Sequence, residues 1–265
     1  MPSKLIKEHF REDRLPHIWC PGCGHGILMQ SIARALDELS LTKDEVCIVS
    51  GIGCSSRASG YFDYNTVHTL HGRALAFATG IKMANPSLTV IVITGDGDAT
   101  AIGGNHLIHS CRRNIDITAI VFNNNIYGMT GGQFSPTTQV NDKATTAPYG
   151  NIDKPFDVCQ LTAASGATFV ARASSYHAQQ MKDFTKKAIQ HKGFSVVEGI
   201  STCPTYYGRK NKKGNAAQML LNLKNTSRLT NDINIKDSKV PIGIFKDISL
   251  PEYSEEYEKI KSMFK

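Results

Sequence analysis

The chain has 265 residues, of which 41% are hydrophobic and 20% are charged, and its formal net charge is +7. This composition excludes a disordered chain, and the length suits one large domain with an extension. The longest apolar stretches, such as 88–93, fall far short of the ~20 residues that span a bilayer. Residues 1–14 are charged throughout and lack the apolar stretch of a signal peptide, so we expect a cytoplasmic protein with no membrane contact.

Short β-branched runs alternate with amphipathic segments along residues 26–200, a pattern typical of a parallel sheet covered by helices. In chain order it predicts a helix over 26–40, a strand over 46–50, a helix over 72–84, a strand over 88–94, a helix over 101–112 and a strand over 116–122. After a long loop at 128–156 it predicts a helix over 157–165, a strand over 167–171, a helix over 175–191 and a strand over 194–200. We therefore predict an α/β fold with a mostly parallel sheet and helices on both faces.

The periodicity weakens after Cys203, where we expect an extended arm with little sheet. Residues 201–265 hold 12 of the 30 Lys and Arg but 7 of the 23 Asp and Glu, which places +5 of the net charge there. The basic residues are densest at 209–213. Such a segment can meet nucleic acid, anionic lipid or an acidic protein, and it is equally compatible with a solvated tail.

Two neighbouring predicted strands end in polar clusters, Gly95-Asp96-Gly97 and Asn123-Asn124. Ligands of an open parallel sheet bind beyond the carboxyl ends of its strands. Glycines let the backbone approach a phosphate closely, and a carboxylate beside a phosphate requires a cation between them, a role that suits Mg²⁺. A Rossmann fingerprint is excluded because Thr100 stands where its third glycine belongs, and a Walker A loop is absent. With residues 98–122 between them, the two clusters instead match the motif of thiamine diphosphate enzymes.

Four of the seven cysteines stand in contexts that suit metal binding: Cys20 and Cys23 in Cys-Pro-Gly-Cys, Cys54 in Gly-Cys-Ser and Cys203 in Cys-Pro-Thr. Four thiolates bind a [4Fe-4S] cluster, but structural zinc takes the same number, so the spacing leaves both open.

On these motifs the chain resembles the beta subunits of 2-oxoacid:ferredoxin oxidoreductases over at least residues 17–205. The resemblance implies that Asp96, Asn124 and the carbonyl group of Ile126 bind Mg²⁺ and that the four cysteines bind a [4Fe-4S] cluster. It also implies eleven residues that contact thiamine diphosphate: Ile52, Gly53, Cys54, Ser55, His71, Gly72, Arg73, Gly97, Asp98, Gly128 and Met129. Among these, His71 is the candidate catalytic residue, in contact with the diphosphate or the reacting centre.

The activity implied by this resemblance is the oxidative decarboxylation of a 2-oxoacid with coenzyme A, acting on its oxo group and passing electrons to ferredoxin. The segment 125–133 and Cys203-Pro204-Thr205 most resemble members that use 2-oxoglutarate. Pyruvate and branched-chain 2-oxoacids are the alternatives, and Gly131 stands where some broad-specificity relatives carry lysine.

Partner subunits are also implied, because thiamine enzymes use a second domain to bind the aminopyrimidine ring and none fits within this length. We expect an alpha subunit that carries this domain, with gamma and ferredoxin-like delta subunits as further candidates. Residues 1–202 would then be the thiamine diphosphate and Mg²⁺ domain with its Cys-x-x-Cys segment. Residues 203–265 would be a basic arm that closes over the cluster and docks the partner.

A remote alternative is a basic module that binds nucleic acid through a four-cysteine zinc site. That function predicts Lys, Arg and aromatic residues interleaved around the cysteines, where only scattered ones stand. It also leaves the Gly-Asp-Gly and Asn-Asn pair unexplained, so we expect no nucleic-acid partner.

Overall fold

A computed structural model describes residues 3–235 and 238–264. The strands in these ranges are β1 (Val46–Ser50), β2 (Asn65–His68), β3 (Thr89–Gly95), β4 (Thr118–Asn123), β5 (Ile126–Tyr127), β6 (Gln133–Phe134), β7 (Phe169–Ser174), β8 (Ser195–Ile200), β9 (Ser227–Leu229) and β10 (Val240–Asp247). The α-helices are α1 (Lys4–His9), α2 (His25–Leu39), α3 (Ala58–Tyr61), α4 (Ala74–Ala84), α5 (Gly104–Arg113), α6 (Val158–Ala164), α7 (Ala178–Gln190), α8 (Ala216–Thr226) and α9 (Tyr253–Ser262). Among the helices described, none has both the length and the apolar character needed to cross a membrane.

Eight of the described strands form one sheet in the order β2-β1-β3-β4-β8-β7-β10-β9. Neighbouring strands from β2 to β7 pair in parallel, and β10 pairs antiparallel with β7. The short strands β5 and β6 form a separate antiparallel pair. The predicted α/β fold with a mostly parallel sheet is therefore confirmed.

Both faces of the sheet are buried, as the continuous apolar runs predict. Successive side chains of a strand point to opposite faces, so Ile91 and Ile93 of β3 enter one core while Val90 and Val92 enter the other. Helices α2 and α7 supply buried side chains to the first core, and α4, α5 and α6 supply them to the second. This burial makes the centre of the sheet a rigid support for the loops at its edge.

The segment after Cys203 differs from its prediction. We expected little sheet there, and that expectation is wrong, because β10 forms a ladder with β7 and buries Ile242. Pro241 and Gly243 interrupt the apolar run and hide the strand from a periodicity argument. Both are tolerated because β10 lies near the edge of the sheet, where ladder positions are less demanding.

Four loops gather at one edge because β1, β3, β4 and β8 are parallel neighbours whose carboxyl ends point the same way. They are the loops that begin at Gly51, Asp96, Asn124 and Ser201. The predicted helix at 101–112 is preceded in the structure by a π-helical turn, Asp98–Ile102, so that α5 begins only at Gly104. π-turns of this kind occur often at functional sites.

Candidate functional site

A cavity of about 160 Å³ lies where the loops that begin at Gly51, Asp96 and Asn124 meet. Its lining includes nine of the eleven residues predicted to contact the cofactor, namely Ile52, Gly53, Cys54, Ser55, His71, Gly97, Asp98, Gly128 and Met129. It also includes all three predicted Mg²⁺ ligands, Asp96, Asn124 and Ile126. The fold therefore brings together residues from widely separated parts of the chain at one place.

The other two predicted contacts, Gly72 and Arg73, are not among the residues that line the cavity. The backbone N–H of Gly72 donates to Asp98 Oδ1 at 2.7 Å. The Arg73 guanidinium donates to the carbonyl oxygens of Gly72 and Ile102, at 3.2 and 3.0 Å. These contacts support the loop rather than open toward the cavity.

Asp96 is a buried carboxylate whose two oxygens have different hydrogen-bond partners. Its Oδ2 accepts hydrogen bonds from the hydroxyl groups of Ser135 and Thr137, both at 2.6 Å. Burial raises the pKa of this carboxyl group, and the two hydroxyl groups act in the opposite direction. The long loop at 128–156 thus holds one oxygen of Asp96 and leaves Oδ1 directed toward Asn124.

The side-chain amide of Asn124 lies between Asp96 and Ile126. With its nitrogen facing them, it donates to Asp96 Oδ1 at 3.3 Å and to the carbonyl oxygen of Ile126 at 2.8 Å. Rotation of the amide group by half a turn presents its oxygen at the same place. A carboxylate, a side-chain amide and a main-chain carbonyl are all hard oxygen donors, so the donor set fits Mg²⁺.

Asp98 ties two loops of the cavity together. Its Oδ1 accepts from the Gly72 backbone and, at 3.4 Å, from the backbone N–H of Ile52. Its Oδ2 accepts from the Thr94 hydroxyl group at 2.8 Å. Gly51 packs directly on this carboxylate, since a Cβ atom at Gly51 would lie 2.1 Å from Asp98 Oδ2.

His71 lies at the rim of the cavity and is held by two neighbours. Its Nδ1 lies 2.5 Å from Asp98 Oδ1, and its ring meets the ring of Tyr127 edge-on at 6.1 Å. Tyr127 in turn donates its hydroxyl hydrogen to the carbonyl oxygen of Gly97 at 3.2 Å. The carboxylate of Asp98 therefore orients the imidazole of His71, as in other sites where a second group sets the ring.

The four predicted cluster cysteines come together from three distant segments. The backbone N–H of Cys23 donates to the carbonyl oxygen of Cys20 at 3.0 Å and closes the Cys-Pro-Gly-Cys turn. A Cβ atom on Gly128 would lie 3.5 Å from Cys54 Sγ and 3.9 Å from Cys203 Sγ, so these sulfurs flank the same glycine. Burial, together with the other three thiols, raises the pKa of Cys23 to about 12.

The spacing of these sulfur atoms bears on which metal they suit. Among the described residues, the groups of three or more metal-ligating side chains whose atoms all lie within 4.8 Å do not include these cysteines. Tetrahedral zinc, with Zn–S bonds of about 2.3 Å, holds its sulfurs about 3.8 Å apart. A [4Fe-4S] cluster takes one cysteine on each iron and needs a wider cage. The thiols are more widely spread than a zinc site requires.

Sequence reasoning missed several residues of the site. The hydroxyl groups of Ser135 and Thr137 give no signal, because a loop of small polar residues has no spacing that identifies a contact. His25 also lines the cavity, and its Nδ1 lies 2.8 Å from Ser201 Oγ. Burial lowers the pKa of His25 to about 3. Its position two residues after Cys23 was the one feature of the sequence that could have identified it as a residue of the site.

A larger cavity, of about 480 Å³, lies beside α8 and the start of β10. Its buried charges pair with one another, since Arg172 lies 2.6 Å from Glu198 Oε2 and 2.5 Å from Asp157 Oδ1. Asn123 donates to Glu198 at 2.7 Å from the same strand end that carries Asn124. Although larger, this cavity holds none of the predicted metal ligands, so the smaller cavity is the candidate site.

The basic segment follows the last cysteine. Arg209, Lys210, Lys212 and Lys213 are exposed, and Lys213 pairs with Asp142 at 3.1 Å. The first part of the C-terminal region packs on the Cys-x-x-Cys turn, because a Cβ atom at Gly22 would lie 2.2 Å from Ala216 Cβ and 3.5 Å from Pro204 Cγ. The later part, with β10, adds to the sheet instead.

The chain is similar to known proteins in sequence. Residues 51–199 match the C-terminal TPP binding domain of thiamine pyrophosphate enzymes. The chain is 52% identical, over 96% of each chain, to the 2-oxoglutarate synthase subunit KorB of Methanocaldococcus jannaschii. It is 47% identical to the 2-oxoacid:ferredoxin oxidoreductase subunit beta of Saccharolobus solfataricus, over 71% of this chain and 62% of that one.

A solved structure is similar throughout. The 2-oxoglutarate:ferredoxin oxidoreductase of Magnetococcus marinus, determined with 2-oxoglutarate, coenzyme A and succinyl-CoA bound, matches 100% of this chain and 92% of its own. The TM-score is 0.89 at 33% sequence identity. The fold is therefore shared with an enzyme of known structure.

Replacement of Gly51 with alanine tests the loop geometry. The new Cβ atom would collide with Asp98, which must move and release the Gly72 and Ile52 backbones. We expect thiamine diphosphate to bind about 10-fold or more weakly to the assembled enzyme, measured by calorimetry. Gly60→Ala is the matched control, because a Cβ atom there meets nothing within 4 Å. Equal affinity in both variants would contradict the role of Asp98.

Proposed function

The chain belongs to the beta subunits of the 2-oxoacid:ferredoxin oxidoreductases, which are thiamine pyrophosphate enzymes, and we propose that it acts on 2-oxoglutarate. The reaction is oxidative decarboxylation with coenzyme A to succinyl-CoA and CO₂. The relatives named for 2-oxoglutarate support this substrate over pyruvate and branched-chain 2-oxoacids. The observation that carries the proposal is the cavity in which the Gly-Asp-Gly and Asn-Asn motifs meet the cysteine loop.

The motif residues hold the cofactor in this proposal. Asp96, Asn124 and the carbonyl oxygen of Ile126 hold Mg²⁺, and the glycine-rich loop at 51–55 and residues 128–129 border the diphosphate. Thiamine diphosphate, when bound, supplies the nucleophilic carbon for decarboxylation of a 2-oxoacid. The chain supplies position, since Asp98 keeps the loops that contain Ile52 and His71 against one another.

We assign the four cysteines to a [4Fe-4S] cluster. Their mutual proximity, and a spread wider than zinc geometry, support this assignment. Cys54 serves both sites, because it lines the cofactor cavity and shares the Gly128 contact with Cys203. Such a cluster supplies a one-electron acceptor next to the cofactor.

Partner subunits complete the enzyme in this proposal. The relative from Saccharolobus solfataricus is named as the subunit beta of its enzyme, which implies assembly with other subunits. We propose an alpha subunit that brings the pyrimidine-binding domain, with gamma and ferredoxin-like delta subunits as further members. The organisation we propose is a cofactor domain over 1–202 and a docking region over 203–265, of which the first part packs on the Cys-x-x-Cys turn.

Ferredoxin is the proposed electron acceptor. Cys20 is exposed, so the proposed cluster approaches the surface there. The segment that follows the cluster residue Cys203 in sequence also carries exposed cations, namely Arg209, Lys210 and Lys212. A basic surface accelerates the encounter with an acidic protein.

The assembled alpha and beta subunits test the function directly. We expect the isolated chain to be inactive and the anaerobic complex to be brown. Of 2-oxoglutarate, pyruvate, a branched-chain 2-oxoacid and an aryl pyruvate, 2-oxoglutarate should have the highest kcat/KM, by ~10-fold or more. Addition of 2-oxoglutarate and coenzyme A should bleach the visible band. A preference for pyruvate would refute the substrate, and a colourless zinc protein would refute the cluster.

Asp96→Asn tests the metal site. Loss of the carboxylate charge should weaken Mg²⁺ binding by about 100-fold, and activity should then require far more Mg²⁺. The measurement is the Mg²⁺ dependence of activity together with thiamine diphosphate retained after gel filtration. Asp153→Asn is the control. Asp153 is an exposed aspartate in the loop at 128–156, and its replacement should leave the enzyme like wild type. Unchanged Mg²⁺ dependence in Asp96→Asn would refute the assignment.

Reversal of charge in the basic segment tests ferredoxin docking. The double change Arg209→Glu and Lys210→Glu should lower kcat/KM for ferredoxin by about 10-fold at low salt, with a smaller effect at high salt. Reduction of a small viologen dye should be unaffected. Arg112→Glu with Arg113→Glu provides a matched exposed pair on α5. If ferredoxin reduction changes equally in both pairs, the docking proposal fails.

A further inference from the structure

His25 occupies the boundary between the cysteine segments and the cofactor cavity. It is the first residue of α2 and is 1% exposed. Its ring lies between Trp19, with centroids 5.7 Å apart at 88°, and Phe122, with centroids 5.2 Å apart at 52°. The same ring lines the cavity that holds Asp96 and Asn124. One side chain therefore borders both parts of the site.

The contacts of His25 reach two cysteine segments directly. Its backbone N–H lies near the Cys23 sulfur and lowers the pKa of that thiol, against the larger effect of burial. Its Nδ1 shares the 2.8 Å hydrogen bond with Ser201 Oγ, two residues before Cys203. Two bonds at Thr202 hold the same two segments together. The Gly24 N–H donates to the Thr202 carbonyl oxygen at 3.1 Å, and the Thr202 hydroxyl group donates to the carbonyl oxygen of Gly22 at 3.1 Å.

The third cysteine segment is reached through Trp19. The indole N–H of Trp19 donates to the carbonyl oxygen of Cys54 at 2.7 Å, and its ring packs edge-on against His25. The pair Trp19 and His25 thus touches every segment that contributes a cysteine. Residues that hold metal ligands in place through such contacts commonly affect both the affinity of the site for its metal and the reduction potential of the metal centre.

An apolar residue would be the ordinary choice for a core position at the start of a helix. A buried imidazole loses its hydrogen bonds to water, and this loss is costly unless protein groups replace them. Ser201, in the segment that carries Cys203, supplies one such hydrogen bond to His25. Simple packing needs no such bond to a cysteine segment.

We infer that His25 is a positioning residue that ties the Cys203 segment to the Cys-x-x-Cys turn and forms the part of the wall that keeps cofactor-cavity water away from the Cys23 side of the cluster. This inference rests on the proposed iron–sulfur function. Reduction adds one negative charge to a cluster, and water beside it stabilises that charge. Loss of the wall should therefore move the potential in the positive direction.

Three variants of the assembled enzyme separate the two roles. His25→Ala removes both the wall and the bond, and we expect a more positive midpoint potential and iron loss to a chelator that is about 10-fold faster. His25→Phe keeps an aromatic wall, so its potential should stay near that of wild type while iron loss accelerates. Ser201→Ala removes the same hydrogen bond from the other end and should match His25→Phe in iron loss. Potentials are measured by redox titration monitored by electron paramagnetic resonance.

His109→Ala, at an exposed histidine of α5, is the control and should match wild type in both measurements. A His25→Ala enzyme with wild-type potential and spectrum would overturn the inference. If that variant does not load a cluster, iron retention in both His25→Phe and Ser201→Ala at the wild-type rate would overturn it. A wild-type complex without a cluster signal would instead refute the iron–sulfur assignment, and this inference with it.

Discussion

The burial of Asp96 at the end of β3 is the constraint on which the site depends. A carboxylate removed from water is costly unless hydrogen bonds or a cation compensate it. Here one oxygen is satisfied by Ser135 and Thr137, and the other faces Asn124. The two hydroxyl groups belong to the long loop at 128–156, so compensation of the charge also fixes that loop over the cavity.

The parallel sheet makes this compensation possible. Since β1, β3, β4 and β8 are neighbours with their carboxyl ends at one edge, loops far apart in sequence share one small volume. Asp98 then joins the loop at 51–55 to the loop that contains His71 and Gly72. The buried sheet holds these loops in place, and the loops supply the chemistry.

Two of the three cysteine segments begin at the same edge of the sheet. Cys54 follows β1, Cys203 follows β8, and Cys20 and Cys23 precede α2. His25 lines the cavity, contacts Ser201 before Cys203, and packs against Trp19, which donates to the carbonyl oxygen of Cys54. The proposed cluster and the cofactor cavity therefore share a loop, because Cys54 lines the cavity and is one of the four cysteines.

Motif residues were predictable from sequence because their spacing reflects strand ends. Asp96, Asn124 and Cys54 follow buried apolar strands, and the alternation of strand and helix that places them is local. The positions of Ser135, Thr137 and His25 were decided by tertiary structure, since their partners lie 39, 41 and 176 residues away in sequence. β10 was hidden for a related reason, because a strand interrupted by Pro241 and Gly243 gains its order from pairing with β7. The sequence alone determined the fold class and the motifs; long-range hydrogen bonds and strand pairing, which no local pattern encodes, decided how the loops close around them.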